Sequence, residues 1–292
     1  MGLIRMLGAM AIGVVVTLLL LAGAAYGVSE YRMTRVWEVQ PRPLADSIEL
    51  GMEEASRLAT VHGCVECHGE DLGGGVLTDD PAFGRIIAPN LTSGGKGAGS
   101  RYNTSDWVRA IRHGIDPQGH GLVLMPSEQY YYLPDEQIAA IIDYVEAAEP
   151  VSRELGDTRL GPLARALYAG GMAQLLAADV IDHDRPPPPP PAAGVTEEYG
   201  AFLARACQGC HGQNLAGGAS GPAPAPNLTP HATGLGPWSE EDFRRAMREG
   251  LRPDSSEISE AMPWKAFRAM TDEELSALWL YLRSVPAVAP TE

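Results

Sequence analysis

The placement of the four cysteines constrains this chain more than any other feature of its sequence. The chain of 292 residues contains Cys64, Cys67, Cys207 and Cys210. Both pairs have the spacing Cys-x-x-Cys, and each is followed at once by a histidine, His68 in the first and His211 in the second. Residues three positions apart on a helix share one face, so each pattern presents two thiols side by side. No cysteine is left over for any other role.

The pattern C-x-x-C-H is typical of covalent c-type haem attachment. The two thiols can reach the two vinyl groups of one porphyrin, and the next residue directs its imidazole at the iron. A zinc site built from both pairs is disfavoured, because residues 68–206 separate them, far more than the ~15–20 residues of a zinc ribbon. A thioredoxin-like motif would need a βαβ context, and a structural disulfide needs no histidine. The sequence therefore predicts two covalently bound haem c groups, with His68 and His211 as axial iron ligands.

The second half of the chain repeats the first. Residues 89–92 (Pro-Asn-Leu-Thr) return at 226–229, and Met125-Pro126 returns as Met262-Pro263, both at an offset of 137. The cysteine motifs differ by 143, so the first copy carries six extra residues, which we place near 73–75. The chain is therefore predicted to consist of two copies of one domain.

The repeat also predicts the second axial ligand. His113, His120 and Met125 are the candidates in the first copy, but only Met125 has a counterpart, Met262, in the second. Each methionine precedes proline, which disfavours helix, so each is expected on an extended loop that can deliver a thioether. His113, His120 and His183 are expected on the surface or in loops. The methionines expected to be packing residues are Met172, Met247 and Met270.

Helical periodicity suggests a mainly α fold. Helices are predicted at 53–62, 105–113, 197–206 and 239–249, with Ser105 and Ser239 as N-caps. A terminal helix in each copy has apolar residues at i, i+3, i+4 and i+7, over 138–145 and 275–282. The second terminal helix opens with the capping-box sequence 271–274.

Each half resembles a class I cytochrome c domain in the order of its first helix, C-x-x-C-H, Pro-Asn-Leu-Thr-like loop, Met-Pro loop and terminal helix. The resemblance places these domains at residues 51–150 and 193–292. It implies that each proximal histidine donates its second ring proton to a proline carbonyl, at Pro89 and Pro226, which sets the ring orientation. The Pro-Asn-Leu-Thr segment also contains an N-x-T sequon, but its presence in both copies favours a structural loop.

The N-terminal segment is predicted to anchor the protein in a membrane. Residues 6–28 form an uncharged apolar run of 23 residues, longer than the ~20 needed to cross a bilayer. A cleaved signal peptide is the alternative, because residues 22–24 (Ala-Gly-Ala) resemble a cleavage site. We assign residues 1–30 to the anchor and 31–50 to a linker. Residues 151–192 form a second linker, in which six prolines, 186–191, are predicted to form a polyproline II rod.

Taken together, the chain resembles the membrane-anchored dihaem c-type cytochromes. This resemblance implies a single-pass protein of the inner membrane, with its haem domains on the periplasmic face. Two axial ligands per iron leave no open position, so the expected function is electron transfer rather than catalysis. Electrons would come from a quinol–cytochrome c reductase or a dehydrogenase. They would pass to an oxidase, a photosynthetic reaction centre or a soluble cytochrome.

Two alternatives to a free carrier remain from sequence alone. The first is a fixed subunit of a larger respiratory, photosynthetic or dehydrogenase complex, and the second is a dihaem peroxidase-type enzyme in which one methionine leaves its iron. The formal net charge of −15 argues against nucleic acid as a partner. It is compatible with steering a basic redox partner or simply with a solvated surface.

Overall fold

The computed structural model describes residues 2–45, 50–218 and 224–289. Residues 46–49, which belong to the predicted 31–50 linker, lie outside the described residues, as do 219–223 and 290–292 of the predicted second domain. The chain divides into two compact units. Unit 1 comprises Met1–Pro43, Cys67–Tyr131 and Ala148–Pro186. Unit 2 comprises Leu44–Glu66, Tyr132–Ala147 and Pro187–Glu292.

The described residues are mainly helical, which confirms the predicted fold class. The helices of the first half are α1 (Gly2–Met33), α2 (Met52–Val61), α3 (Cys64–His68), α4 (Thr104–His113), α5 (Ser127–Tyr130), α6 (Asp135–Glu146) and α7 (Pro162–Ala169). Those of the second half are α8 (Glu197–Leu203), α9 (Arg205–His211), α10 (Glu240–Glu249), α11 (Trp264–Phe267) and α12 (Asp272–Ser284). The strands are β1 (Gly75–Asp80), β2 (Gly84–Ala88) and β3 (Arg159–Leu160).

The three strands form a small antiparallel sheet in the order β1-β2-β3, which the sequence did not predict. The β1–β2 hairpin lies where the first copy carries its six extra residues. Strand β1 has the sequence Gly-Val-Leu-Thr-Asp-Asp and is half-exposed or exposed throughout. It therefore lacks the alternation of buried and exposed residues by which a strand is usually recognised.

Helix α1 is long and apolar enough to cross a membrane. Its candidate span is Ile4–Met33, 30 residues, and the apolar part of that span is not buried within the protein. At about 1.5 Å per residue the span is roughly 45 Å long, more than the ~30 Å hydrocarbon core of a bilayer. The C-terminal end of α1 can therefore extend beyond the bilayer.

The segment after α1, which was predicted to be a linker, contributes to a core in unit 1. Trp37 and Val39 are buried in a cluster with Ile115, Tyr168 and Leu176. The backbone N–H of Trp37 donates to the carbonyl of Gly119 at 2.9 Å. The chain therefore leaves the membrane-spanning candidate directly into packed structure, with contacts that sequence periodicity did not indicate.

The apolar positions predicted for the terminal helices are buried, except Trp279, which is half-buried. In α6 these are Ile138, Ile141, Ile142 and Val145, and in α12 they are Leu275, Leu278 and Leu282. The predicted capping box at Thr271 and Glu274 is also present. Ser239 caps α10 as predicted, but α4 is capped by Asn103 rather than by Ser105. The prediction was two residues off because asparagine is an equally good N-cap.

Within unit 2, an ion-pair network joins α2 to α12. The guanidinium of Arg57 contacts Glu54 at 2.6 Å and Glu274 at 2.9 Å. It also donates to the carbonyl of Ala269 at 3.2 Å. The side chain of Glu274 is only 10% exposed and simultaneously caps α12, so this pair lies largely out of solvent. Proximity of the two carboxylates raises the pKa of Arg57 further above its ordinary value, which keeps the guanidinium charged.

The polyproline segment also has packing partners in unit 2. Pro188–Pro191 line a shallow groove together with Tyr132, Phe202 and Arg205. The guanidinium of Arg205 lies 3.8 Å from the centre of the Tyr132 ring. The prolines therefore lie along α8, a contact that the predicted polyproline II rod did not include.

Candidate functional site

Both C-x-x-C-H motifs adopt the helical geometry that the pattern predicts. The first forms α3, and the second lies in the last two turns of α9. Cys64 and Cys207 are half-buried, whereas Cys67 and Cys210 are exposed. Each pair of thiols is thus presented on one helical turn, followed by a buried histidine.

The two histidine rings are held by the same hydrogen bond. His68 Nδ1 lies 2.8 Å from the carbonyl oxygen of Pro89, and His211 Nδ1 lies 2.7 Å from that of Pro226. A carbonyl can only accept, so Nδ1 carries the proton in both rings and Nε2 remains as the nitrogen that can bind a metal. Burial lowers the pKa of both histidines, which favours the neutral, ligating form. The assignment of these residues as haem ligands remains a prediction.

Burial raises the pKa of Cys207, with a smaller effect from Cys210 nearby, which favours the uncharged thiol when no group is bound. The described part of the chain also contains no cluster of three or more His, Cys, Asp or Glu side chains placed to bind a metal ion.

Two glycines bring each proline carbonyl close to its histidine, and sequence reasoning missed both. Gly74 has φ +81°, and a Cβ there would lie 2.6 Å from Ala88 O and 2.7 Å from the carbonyl carbon of Pro89. Gly217 has φ +86°, and its Cβ would lie 2.6 Å from Ala225 O. Both positions therefore require glycine for backbone angle and for space. The two are offset by 143, the same as the cysteine motifs, so that register would have revealed them.

Two leucines, one in each copy, also correspond to each other at the offset of 143 residues. Leu72 (φ 52°) and Leu215 (φ 59°) adopt left-handed backbone, which is uncommon for leucine, and both are 1% exposed. Their carbonyls accept from the N–H groups of Leu91 and Leu228, each at 2.8 Å. The segment after each histidine is thereby tied to the Pro-Asn-Leu-Thr loop.

The Asn and Thr of that loop clamp the chain beyond the terminal helix. Asn90 Oδ1 accepts from both the N–H and the hydroxyl of Thr92 at 2.8 Å. Asn90 Nδ2 donates to the carbonyl of Val151 at 2.6 Å, and the N–H of Val151 donates to the Thr92 hydroxyl at 2.9 Å. These bonds connect the loop that holds His68 to the segment after α6.

The second copy repeats the clamp. Asn227 Oδ1 accepts from the N–H and hydroxyl of Thr229 at 2.8 Å, and Asn227 Nδ2 donates to the carbonyl of Val288 at 2.7 Å. Asn90 and Asn227 are both 7% exposed. Their side chains are thus engaged inside the fold, which explains the repeated sequon as a structural loop.

The two predicted methionine ligands occupy equivalent backbone positions. Met125 leads into α5 and Met262 leads into α11, and both are half-buried. The prolines that follow have nearly identical angles, φ −82° and ψ 51° at Pro126, and φ −77° and ψ 50° at Pro263. Met125 lies in unit 1 with His68, and Met262 lies in unit 2 with His211. Their ligation of iron remains a prediction.

One histidine that was expected on the surface is buried. His113 is 7% exposed, and its Nδ1 lies 3.0 Å from Nδ1 of His183, whose Nε2 contacts the carbonyl of Ala178 at 3.0 Å. The surface prediction was therefore wrong for His113, because its partner lies 70 residues away along the chain. His120, by contrast, has a side chain 46% exposed, 3.7 Å from Asp116.

The stability of unit 1 should fall with acidification because of His113. Burial, with His183, Arg112 and Arg109 nearby, lowers the pKa of His113 to about 4. The folded-state pKa lies below the unfolded value of ~6.5, so stability is complete above ~6.5 and is lost as pH falls towards 4. We expect a loss of about 2 kcal/mol in the free energy of unfolding between pH 7 and pH 5, measured by denaturant titration.

The matched variant His113→Gln should show a flatter pH dependence than the unsubstituted protein. His62 in unit 2 also has a pKa lowered to about 4 by burial, so the relevant quantity is the difference between the two proteins. If the free energy of unfolding changed equally with pH in both proteins, the pH dependence could not be assigned to His113.

The buried donors of unit 1 fit a bound group rich in acceptors. Among the described residues, Trp107 Nε1 and Arg109 Nε are buried without a hydrogen-bond partner. A buried unpaired donor costs about 1–3 kcal/mol, so an acceptor supplied by a ligand would be stabilising. The propionate oxygens of a haem are such acceptors. With the paired thiols and the oriented imidazoles, the side chains present fit a covalently attached haem.

Comparison with known proteins agrees with this geometry. The family model described as cytochrome c matches residues 52–149 and 197–286. The fructose dehydrogenase cytochrome subunit of Gluconobacter japonicus is 28% identical over 94% of this chain and 58% of its own length. The alcohol dehydrogenase (quinone) cytochrome c subunit of Gluconacetobacter polyoxogenes is 27% identical over 86% of this chain and 58% of its own length.

A further relative matches a shorter stretch. The gluconate 2-dehydrogenase cytochrome c subunit of Pantoea cypripedii is 36% identical over 31% of this chain and 23% of its own length. The chain thus spans about 58% of the length of the first two relatives.

Proposed function

Because this chain belongs to the cytochrome c family, we propose that it is the electron-transferring cytochrome c subunit of a membrane-bound dehydrogenase complex. The observation that carries the proposal is the duplicated site, a C-x-x-C-H helix whose histidine is oriented by a proline carbonyl in both halves. The relatives named above are cytochrome subunits of dehydrogenases. They favour a fixed subunit over the free carrier that the sequence alone suggested.

The proposed roles follow from the geometry of each side chain. The four cysteines would hold two haem c groups, one on each motif, and His68 and His211 would bind the irons through Nε2. Met125 and Met262 would supply the second ligand to each iron. When bound, haem c supplies a one-electron couple, whose potential Met/His ligation raises. Pro89 and Pro226 orient the imidazoles and adjust their basicity.

Two side-chain ligands on each iron would favour electron transfer over catalysis. Histidine and methionine ligands would leave no coordination position on either iron for peroxide or another substrate, and the bound haems would supply outer-sphere electron transfer. The chain is accordingly an electron-transfer protein rather than a catalytic enzyme. A dehydrogenase is the proposed donor. The acceptor is drawn from the classes that the sequence suggested, namely an oxidase, a photosynthetic reaction centre or a soluble cytochrome.

The proposed topology places the two haem domains, 51–150 and 193–292, outside the cytoplasmic membrane. Helix α1 is the single anchor, with its N-terminus inside. This orientation is supported by the two haem-attachment motifs, since the resemblance to c-type cytochromes implies attachment on the outer side.

Purification from native membranes tests the complex. We expect the full chain, extracted in mild detergent through a C-terminal tag, to bring down a dehydrogenase subunit at constant stoichiometry. Adding the substrate of that dehydrogenase should then reduce the haem irons, which haem absorption spectra would show. Elution of the cytochrome alone, in the same detergent, would favour a free carrier instead.

The number of haems is tested separately. The full chain should contain two irons and two covalently bound haems per polypeptide, and it should stain for haem on a denaturing gel. The double substitution Cys207→Ser and Cys210→Ser should leave one covalently bound haem per polypeptide. A single haem in the unsubstituted protein would contradict the proposal.

A further inference from the structure

Helix α7 is fastened to the outer end of α1 by charged and aromatic contacts. Arg165 donates to Glu30 at 2.8 Å and to the hydroxyl of Ser29 at 3.0 Å. Its guanidinium lies 4.4 Å from the centre of the Tyr26 ring. In return, Arg32 donates to the carbonyl of Tyr168 at 2.9 Å. The two helices are thus joined within unit 1 by reciprocal contacts, from Arg165 of α7 to α1 and from Arg32 of α1 to α7.

These contacts lie where α1 would leave a bilayer. The uncharged run 6–28 is about 34 Å long at about 1.5 Å per residue, close to the ~30 Å thickness of a hydrocarbon core. The first charged residue after the run is Glu30. Tyr26 and Tyr31 are exposed, and tyrosine is enriched at membrane interfaces. Helix α7 is therefore held at the level of the lipid headgroups.

The outward surface of α7 and the following loop is apolar and uncharged. The exposed residues between 160 and 173 are Pro162, Leu163, Ala166, Gly170, Gly171 and Met172, which we call the interfacial face, and the exposed polar residue Gln174 follows it. Leu163 is 41% exposed and Met172 is 73% exposed, although Met172 was predicted to be a packing residue. The one charged residue between 160 and 178 is Arg165, which is turned towards Glu30.

The lack of acidic residues here is notable in so acidic a chain. The 19 residues from 160 to 178 contain no Asp or Glu, although the chain has 37 acidic residues in 292. A carboxylate pressed against lipid would lose hydration at a cost in free energy, which a surface without acidic residues avoids. An apolar face without acids, at headgroup level, is suited to lipid contact.

We propose that the interfacial face rests on the headgroup region of the bilayer that α1 crosses, which holds unit 1 at a fixed depth and orientation. The proposal rests on α1 being a membrane anchor, as proposed above. The occupant is lipid because α7 is joined to α1 at Glu30, directly after the uncharged run that would lie in the bilayer.

Spin-label depth measurements on the full, haem-loaded chain test this proposal. The protein is reconstituted in phosphatidylcholine–phosphatidylglycerol vesicles with a thiol-reactive nitroxide at Met172→Cys. Collision with oxygen, which partitions into lipid, is compared with collision with a water-soluble nickel chelate. Leu19→Cys, on the exposed middle of α1, gives the value for the bilayer core, and Glu154→Cys, exposed in unit 1, gives the value for water.

We expect the oxygen-to-nickel ratio at position 172 to be several-fold above that at 154 and below that at 19. A ratio equal to that at 154 overturns the interfacial face while leaving the anchor intact. Low access to both reagents indicates cover by another copy of the chain and also overturns it. A water-like value at 19 overturns the anchor and the face together, which separates the two failures.

A second variant tests the role of the α1–α7 contact. In the Met172→Cys background, Arg165→Gln removes the ion pair with Glu30, and we expect the ratio to fall towards the value at 154. The matched control is Arg153→Gln, because Arg153 pairs with Asp71 at 2.7 Å elsewhere in unit 1. If both substitutions change the ratio equally, or neither does, the contact does not set the depth.

Discussion

Replacing Met125 by alanine should convert about half of the haem in the full-length protein from low-spin to high-spin, and replacing Met262 should convert the other half. Each thioether is proposed to be the second axial ligand of one iron, and alanine cannot replace it. A weaker or water ligand gives a smaller ligand field and lowers the reduction potential of that site. Optical and electron paramagnetic resonance spectra of the two single variants, recorded at neutral pH, measure the conversion.

Met172→Ala is the matched control, because this methionine is 73% exposed and lies outside both repeated loops. Its spectrum should equal that of the unsubstituted protein. If Met125→Ala leaves the low-spin signal complete, Met125 is not a ligand, and the same holds for Met262. The double variant should be high-spin at both sites and should bind carbon monoxide when reduced.

Gly74→Ala and Gly217→Ala are each expected to destabilise the protein strongly. Left-handed backbone costs a non-glycine residue about 1–2 kcal/mol. In addition, the new Cβ would stand 2.6 Å from a backbone oxygen, Ala88 O in one case and Ala225 O in the other. We expect each substitution to lower the free energy of unfolding of the haem-loaded protein by about 3 kcal/mol, since overpacking against backbone adds about 1–3 kcal/mol. Denaturant titration followed by haem absorption measures the loss.

Gly156→Ala separates the cost of left-handed backbone from the cost of the Cβ clash. Gly156 has φ +79°, but a Cβ there meets nothing within 4 Å, so this control should cost only the backbone term. The clash at Gly74 and Gly217 also displaces the carbonyls of Pro89 and Pro226, so the histidine–iron vibration should shift in those variants alone. Equal losses at all three glycines would show that the close approach to the proline loop is not needed.

Much of the site could be read from the sequence because its signals are local. The spacing Cys-x-x-Cys-His specifies one helical turn, and the repeat at offset 137 paired Met125 with Met262. The capping box at Thr271 likewise involves neighbours along the chain. An alignment at offset 143 also pairs Gly74 with Gly217 and Leu72 with Leu215. The importance of these residues is evident only from their φ angles and contacts in the structure.

The rest depended on contacts between residues far apart in the sequence. His113 carries nothing locally that indicates burial, and its partner His183 follows 70 residues later. Trp37 falls in the segment assigned to a linker, and it packs with Tyr168 and Leu176, which lie more than 100 residues further along the chain. The β1–β2 hairpin was missed because its exposed residues do not alternate in polarity.

The sequence by itself determined the cysteine–histidine spacing, the duplication, the helices and the candidate membrane span. Each of these is encoded within a few residues, by spacing, capping or continuous hydropathy. Only the tertiary structure decided that α7 fastens to α1 and that the Asn of each Pro-Asn-Leu-Thr loop clamps the segment after the terminal helix. The physical reason is that periodicity specifies which face of an element is apolar, whereas the segment that covers that face is selected by packing across the whole fold.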